Sequence, residues 1–128
     1  MSKWDQFKRY EFALQWQNVG EGGPQWRYWD PNQPEPNRWV AMTPPITQCL
    51  QAGQWYLFTL EGEIIDEQVH YRRFAIDDDS YVLDVNTSPV STPGEPDRLA
   101  IAIQPDGNSE ESPYDVFVDK VCLVTNCN

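Results

Sequence analysis

The chain has 128 residues, enough for one domain and no more. With 40% hydrophobic and 23% charged residues it is not compositionally disordered, and no apolar run approaches the ~20 residues of a membrane helix. Its 20 acids against 9 Lys and Arg leave a net charge of −11, which argues against nucleic acid and anionic membrane as partners, since both need clustered cations. No apolar stretch follows Met1, so no secretory signal is expected, and a cytoplasmic chain is the corresponding expectation.

Taken in chain order, the dominant period is two. Tyr10, Phe12, Leu14 and Trp16 alternate with Glu11, Ala13, Gln15 and Gln17, the pattern of a half-buried strand with the aromatic row inward. Gly20, Gly22, Gly23 and Pro24 end it. Residues 25–30 (QWRYWD) predict a second strand, aromatic on both faces, and the Pro-rich residues 31–37 a loop. Residues 38–42 predict a short third strand, stopped by Pro44 and Pro45. Residues 46–52 are the one helical candidate, with Ile46, Cys49 and Leu50 on a shared face and Gly53 at the end.

Residues 55–60 (WYLFTL) read as a central strand, apolar on both faces, and residues 61–66 as a charged turn. Residues 69–76 and 81–85 read as the arms of a hairpin closed by Asp77, Asp78, Asp79 and Ser80. A crossing loop over 86–97 leads to a fully buried strand, Leu99 to Ile103, and residues 114–124 predict the last strand. Eight strands with long Pro/Gly loops and little helix predict a single all-β domain over 1–128. An antiparallel β-sandwich of jelly-roll topology is the expected architecture.

Charge and aromatics are distributed unevenly. Residues 1–60 balance five acids with five bases, residues 61–128 carry fifteen acids and four bases, and all six Trp lie between Trp4 and Trp55. Cys49, Cys122 and Cys127 leave at least one thiol unpaired in a monomer, and no C-x-x-C pair points to structural zinc. A Cys122–Cys127 bridge is one option. The apolar flanks Val121 and Leu123 favour a reduced Cys122 in a core strand.

Two segments resemble known families. Residues 53–85, GQWYLFTLEGEIIDEQVHYRRFAIDDDSYVLDV, resemble the middle of concanavalin A-like and laminin-G-like sandwiches, where a Trp enters a central strand and a His/Tyr strand and hairpin follow. Residues 114–123, YDVFVDKVCL, resemble the closing strand of carbohydrate-binding modules. The resemblance implies a jelly-roll sandwich and sugar binding.

The first candidate site is Trp26, Tyr28, Trp29 and Trp39 with Arg27 and Arg38. Sugar rings stack their C–H faces on aromatics, and guanidinium or amide groups orient their hydroxyls. Trp26 and Tyr28 share one strand face, Arg27 and Trp29 the other, so one pair belongs to the core. The plain alternative covers both faces and leaves Arg27 stacked on a ring.

The second candidate is His70 and Arg72 on one face of their strand, with Tyr71 and Arg73 on the other. The alternative pairs both arginines with neighbouring acids such as Glu61, Glu63 or Asp84. Glu61, Glu63 and Asp66 have the spacing of a glucanase E-x-D-x-x-E strand with permuted residue types, a weak basis for hydrolysis. Structural calcium would fall to Asp77, Asp78, Asp79 and Asp84, or to Asp106, Asn108 and Glu110, with a metal-free acidic turn as the alternative.

The expected function is a non-catalytic, lectin-like carbohydrate-binding module with no cofactor, structural calcium being an option and not a requirement. A structural or protein-interaction module, self-associating into a homo-oligomer, is the second expectation, and a small glycan hydrolase the third.

Overall fold

The computed structural model describes residues 1–18, 20, 22–105 and 113–125. Among them there is no helix, strand makes up 44%, and the three sheets are antiparallel, consistent with a β-sandwich. In chain order the strands are β1 (Ser2–Asp5), β2 (Lys8–Glu11), β3 (Leu14–Gln17), β4 (Gln25–Trp29), β5 (Trp39–Ala41), β6 (Phe58–Ile65), β7 (Gln68–Ile76), β8 (Asp79–Thr87), β9 (Val90–Ser91) and β10 (Arg98–Ala100). They form sheets of order β10-β1-β2-β9, β3-β4-β5 and β6-β7-β8.

Tight turns set the hairpins. Gln6 and Phe7 between β1 and β2, and Asp66 and Glu67 between β6 and β7, all have φ between 49° and 62°. Two successive left-handed residues match the right-handed twist of flanking strands. The β7–β8 turn uses Asp77 at φ 51°, and its Oδ1 accepts from the Leu57 amide at 2.8 Å.

The expected strand from Tyr10 to Gln17 is split. The Phe12 amide donates to Met1 O at 2.8 Å in the first sheet, while Ala13 O accepts from the Trp29 amide at 3.0 Å in the second. The chain changes sheets between these residues, yet the inward row survives. Tyr10 and Phe12 are buried, and Leu14 and Trp16 pack against the core.

That core has two parts, Trp26, Met42, Ile46, Phe74 and Ile76 in one and Tyr10, Phe12, Val69 and Tyr71 in the other. Leu14, Tyr28 and Leu83 pack against both. The Tyr71 hydroxyl ties the sheets together. It accepts from the Ala13 amide at 3.0 Å and lies 3.0 Å from Trp29 O and 3.2 Å from Glu11 O, carbonyls to which it can donate. Burial pushes its pKa well above the usual tyrosine range, so it keeps its proton. Phe12 meets Gly62 so closely that a Cβ there would stand 2.3 Å from Phe12 Cε1.

Several expectations are corrected. Residues 46–52 form no helix, because their carbonyls are used across the chain: Ile46 O accepts from the Trp26 amide at 2.9 Å, and Gln48 O from Trp26 Nε1 at 3.3 Å. Residues 55–60 are not a central strand. Trp55 and Leu57 are exposed, β6 begins at Phe58, and β6 is a sheet edge. Residues 61–65 continue β6, so the turn is confined to Asp66 and Glu67. The strand expected over 99–103 is not buried. β10 ends at Ala100 at the edge of its sheet, and Leu99, Ile101 and Ile103 are exposed. Residues 114–124 form no strand, and Cys122 is an exposed thiol, not a core one. An alternating row makes a segment competent to pair, but a strand exists only beside another strand. Cys127, Asp106, Asn108 and Glu110 lie outside the described residues.

Candidate functional site

The first site is built on the outer face of the β3-β4-β5 sheet. Alternation along β4 turns Trp26 and Tyr28 toward the core and Arg27 and Trp29 away from it. Trp26 is 6% exposed, with its ring against Trp16 and Phe74. It is a core residue and offers no face to a ligand. The Tyr28 ring packs tilted against that of Tyr71, centroids 5.6 Å apart, and burial, helped by Asp30, raises its pKa.

On the opposite face Trp29 and Trp39 are direct cross-strand partners, both half-buried. Their ring centroids stand 5.1 Å apart at 63°, an edge-to-face pair. Trp29 Nε1 donates to Glu11 Oε2 at 3.0 Å, and Arg9 Nε lies 3.2 Å from the other oxygen of that carboxylate. Arg27 sits one step along the same face and donates to Gln15, which is its register partner on β3. Desolvation lowers the Arg27 pKa, but a guanidinium so placed remains a cation. Two rings are thus flanked by a carboxylate, an amide and a guanidinium on one sheet face. Arg38 belongs instead to the neighbouring loop, bonded through Nε to Gln33 O at 3.3 Å and through a terminal nitrogen to Glu35 at 2.8 Å.

Glu11 and Gln15 are absent from the sequence-level candidates. Nothing local marks them, because they join the aromatics only through the β3–β4 register and the sheet change at Phe12 and Ala13.

The second site is the outer face of β6-β7-β8. Two bulges shape it. The β6–β7 register shifts between Glu61 and Gly62, and the β7–β8 register between Tyr71 and Arg73, with Asp84 at φ 49°. A bulge breaks the two-residue period. Arg73 therefore emerges beside His70 and Arg72, and does not share the core-facing side of Tyr71. Glu61, His70, Arg72, Arg73, Val82 and Asp84 line an open depression of about 240 Å³.

His70 Nδ1 lies 2.9 Å from Glu63 Oε1, and Nε2 lies 2.9 Å from Asp84 Oδ1. Only the imidazolium donates from both nitrogens. These bonds, to Glu63 first and Asp84 second, raise the His70 pKa above 6.5. Arg72 stands 3.9 Å from Glu63, and Arg73 donates to Ser80 Oγ at 3.0 Å.

No three or more His, Cys, Asp or Glu side chains converge as metal ligands among the described residues. The Asp77 carboxylate is engaged by the Leu57 amide and that of Asp84 by His70. An apolar depression of about 340 Å³ lies between residues 42–46 and β8.

No family model matches this chain, and comparison with curated proteins and with solved structures finds no match.

Proposed function

We propose that the protein is a non-catalytic carbohydrate-binding module, a lectin-like sandwich of jelly-roll type. It would bind sugar on the outer face of the β3-β4-β5 sheet. The observation that carries this reading is the half-buried Trp29–Trp39 pair, held across two strands beside Arg27, Gln15 and Glu11. Stacking on a saccharide needs aromatic area that is partly open and already ordered, and hydroxyls need planar donors and acceptors at its rim. Trp29 and Trp39 supply the area, Arg27 and Gln15 the donors, and Glu11 the fixed acceptor that orients the Trp29 indole. Trp26 has no part in it. The His70 and Arg72 face of the neighbouring sheet is the second polar surface for the same ligand class.

The test titrates Trp fluorescence with a panel of oligosaccharides, then repeats it with Trp29→Ala and Trp39→Ala. Each substitution is expected to weaken binding by about 1–3 kcal/mol, by analogy with bases stacked on aromatics. That is roughly 5- to 150-fold in Kd. No response to any sugar from the folded protein overturns the reading, as does full affinity in both variants.

A further inference from the structure

The outer face of the β3-β4-β5 sheet holds a cation without a counter-charge. Arg9, Arg38, Arg72 and Arg98 each stand within 3.9 Å of a carboxylate. Arg27 has no such partner among the described residues, in a chain with 20 acids to 9 bases. It donates to the neutral Gln15 side chain, and its Nε is buried without a hydrogen-bond partner. Burial also strips part of the water from its guanidinium. A partly desolvated cation is costly, and a bound anion offsets that cost. The nearby acids are engaged elsewhere. Glu11 faces Arg9 at 3.2 Å and holds the Trp29 indole, and the oxygens of Asp30 accept from Asn32 and Gln33. Trp4, on the adjoining sheet, offers no second stacking face, because Arg98 lies 4.1 Å from its ring centroid.

The register leaves room for an anion beside the rings. Across β5, Arg27 pairs with Ala41, which is exposed and whose methyl group is too small to cover a guanidinium. Trp29 and Trp39 form the next row of the same face, two residues along each strand. Rows on one sheet face are about 7 Å apart. A carboxylate carried directly on a ring stacked against the indoles spans that step, given an N–H···O bond of ~2.8 Å to Arg27.

We propose that the Trp29–Trp39 site takes an acidic saccharide, a pyranose bearing a carboxylate as uronic acids do, with Arg27 holding the carboxylate. The inference rests on the reading of this face as a sugar site and adds the charge of the ligand. A planar guanidinium matches a planar carboxylate, so Arg27 fixes the orientation of the ring while the indoles supply stacking area. The net charge of −11 does not oppose this at close range, because the excess acid lies in residues 61–128. The acids on the outer face of β6-β7-β8 stand across the core. That is at least one sheet spacing of about 10 Å away, roughly a Debye length at 0.1 M salt.

Calorimetric titration of the full chain tests this with three probes: an oligosaccharide of uronic acids, the methyl ester of the same oligosaccharide, and a sulfated oligosaccharide. The ester removes only the charge. The acid is expected to bind about tenfold or more tightly than its ester, the margin of a hydrogen bond to a charged group. Added NaCl should weaken the acid and leave the ester unchanged. Arg27→Gln should bring the acid to the level of the ester, while Trp29→Ala weakens both. Arg72→Gln with Arg73→Gln, on the other sheet, should leave the preference intact. Equal affinity for acid and ester overturns the proposal and leaves the sugar reading standing, whereas no binding of any probe overturns both. A preference that survives Arg27→Gln, or that is lost with Arg72 and Arg73, overturns the assignment to Arg27. Tighter binding of the sulfated probe overturns the carboxylate.

Discussion

At the scale of single residues, Tyr71 shows how one hydroxyl can join separate sheets. It sits at 0% exposure on β7 and reaches Ala13 and Glu11 at the sheet change and Trp29 on β4. Tyr71→Phe keeps the ring and removes only the oxygen, leaving the Ala13 amide without its acceptor. Loss of such a buried partner costs about 1–3 kcal/mol. Denaturant unfolding of the two proteins measures it, and an unchanged midpoint would mean that water replaces the hydroxyl. His70 acts in a different way, through its charge. Its pKa is raised in the folded protein by Glu63 and Asp84. The stabilisation is complete below the unfolded value of about 6.5 and fades as pH rises through the folded one. Wild type should therefore exceed His70→Gln in stability at pH 6. The gap should be a few tenths to about 1 kcal/mol, as for pairs open to solvent. It should shrink toward pH 9, and a gap that widens with pH would contradict the assignment.

At the scale of elements, turns and bulges decide where side chains point. The β1–β2 turn places Gln6 at φ 49° and the exposed Phe7 at φ 62°. A bulky residue there is strained, and Asn-Gly is the pair that suits two left-handed positions. Replacing Gln6 and Phe7 with Asn and Gly is expected to stabilise the protein by roughly 0.5–1 kcal/mol. A thermal scan checks it, and a lower Tm would mean that the Phe7 ring contributes more than its backbone costs. The two bulges in the third sheet have the opposite character, because they serve the surface. They bring Arg72 and Arg73 out together and aim Asp84 at His70. The aromatic face of β4 and β5 needs no such device, since plain alternation puts Trp29 opposite Trp39.

At the scale of the molecule, charge is segregated along the chain, with the −11 residing in residues 61–128. In the third sheet Glu61, Asp66, Glu67, Asp77, Asp78, Asp79 and Asp84 are all exposed. Exposed like charges repel over roughly a Debye length, about 10 Å at 0.1 M salt. Moderate NaCl should therefore raise Tm slightly at pH 7, against the weaker loss of surface pairs such as Lys8 with Glu67. A Tm that falls steadily with NaCl would show that the ion pairs outweigh the repulsion.

Local pattern was enough for the all-β class, the inward row of Tyr10, Phe12, Leu14 and Trp16, the hairpin closed at Asp77, and the split of β4 into two faces. Each follows from side-chain alternation or from a residue's own backbone preference, both written within a few neighbours. The sequence alone left open which face of β4 is core, and packing of Trp26 against Trp16 and Phe74 resolves it. Partner choice was beyond local reading. The sheet change at Phe12 and Ala13, the edge position of β6, the bulges that redirect Arg73, and the presence of Glu11 and Gln15 beside Trp29 all depend on contacts between distant residues. Residues 114–124 make the limit plain. Their alternation reads as a strand from sequence, yet pairing takes a second strand, and the backbone hydrogen bonds that make a strand belong to the sheet as a whole.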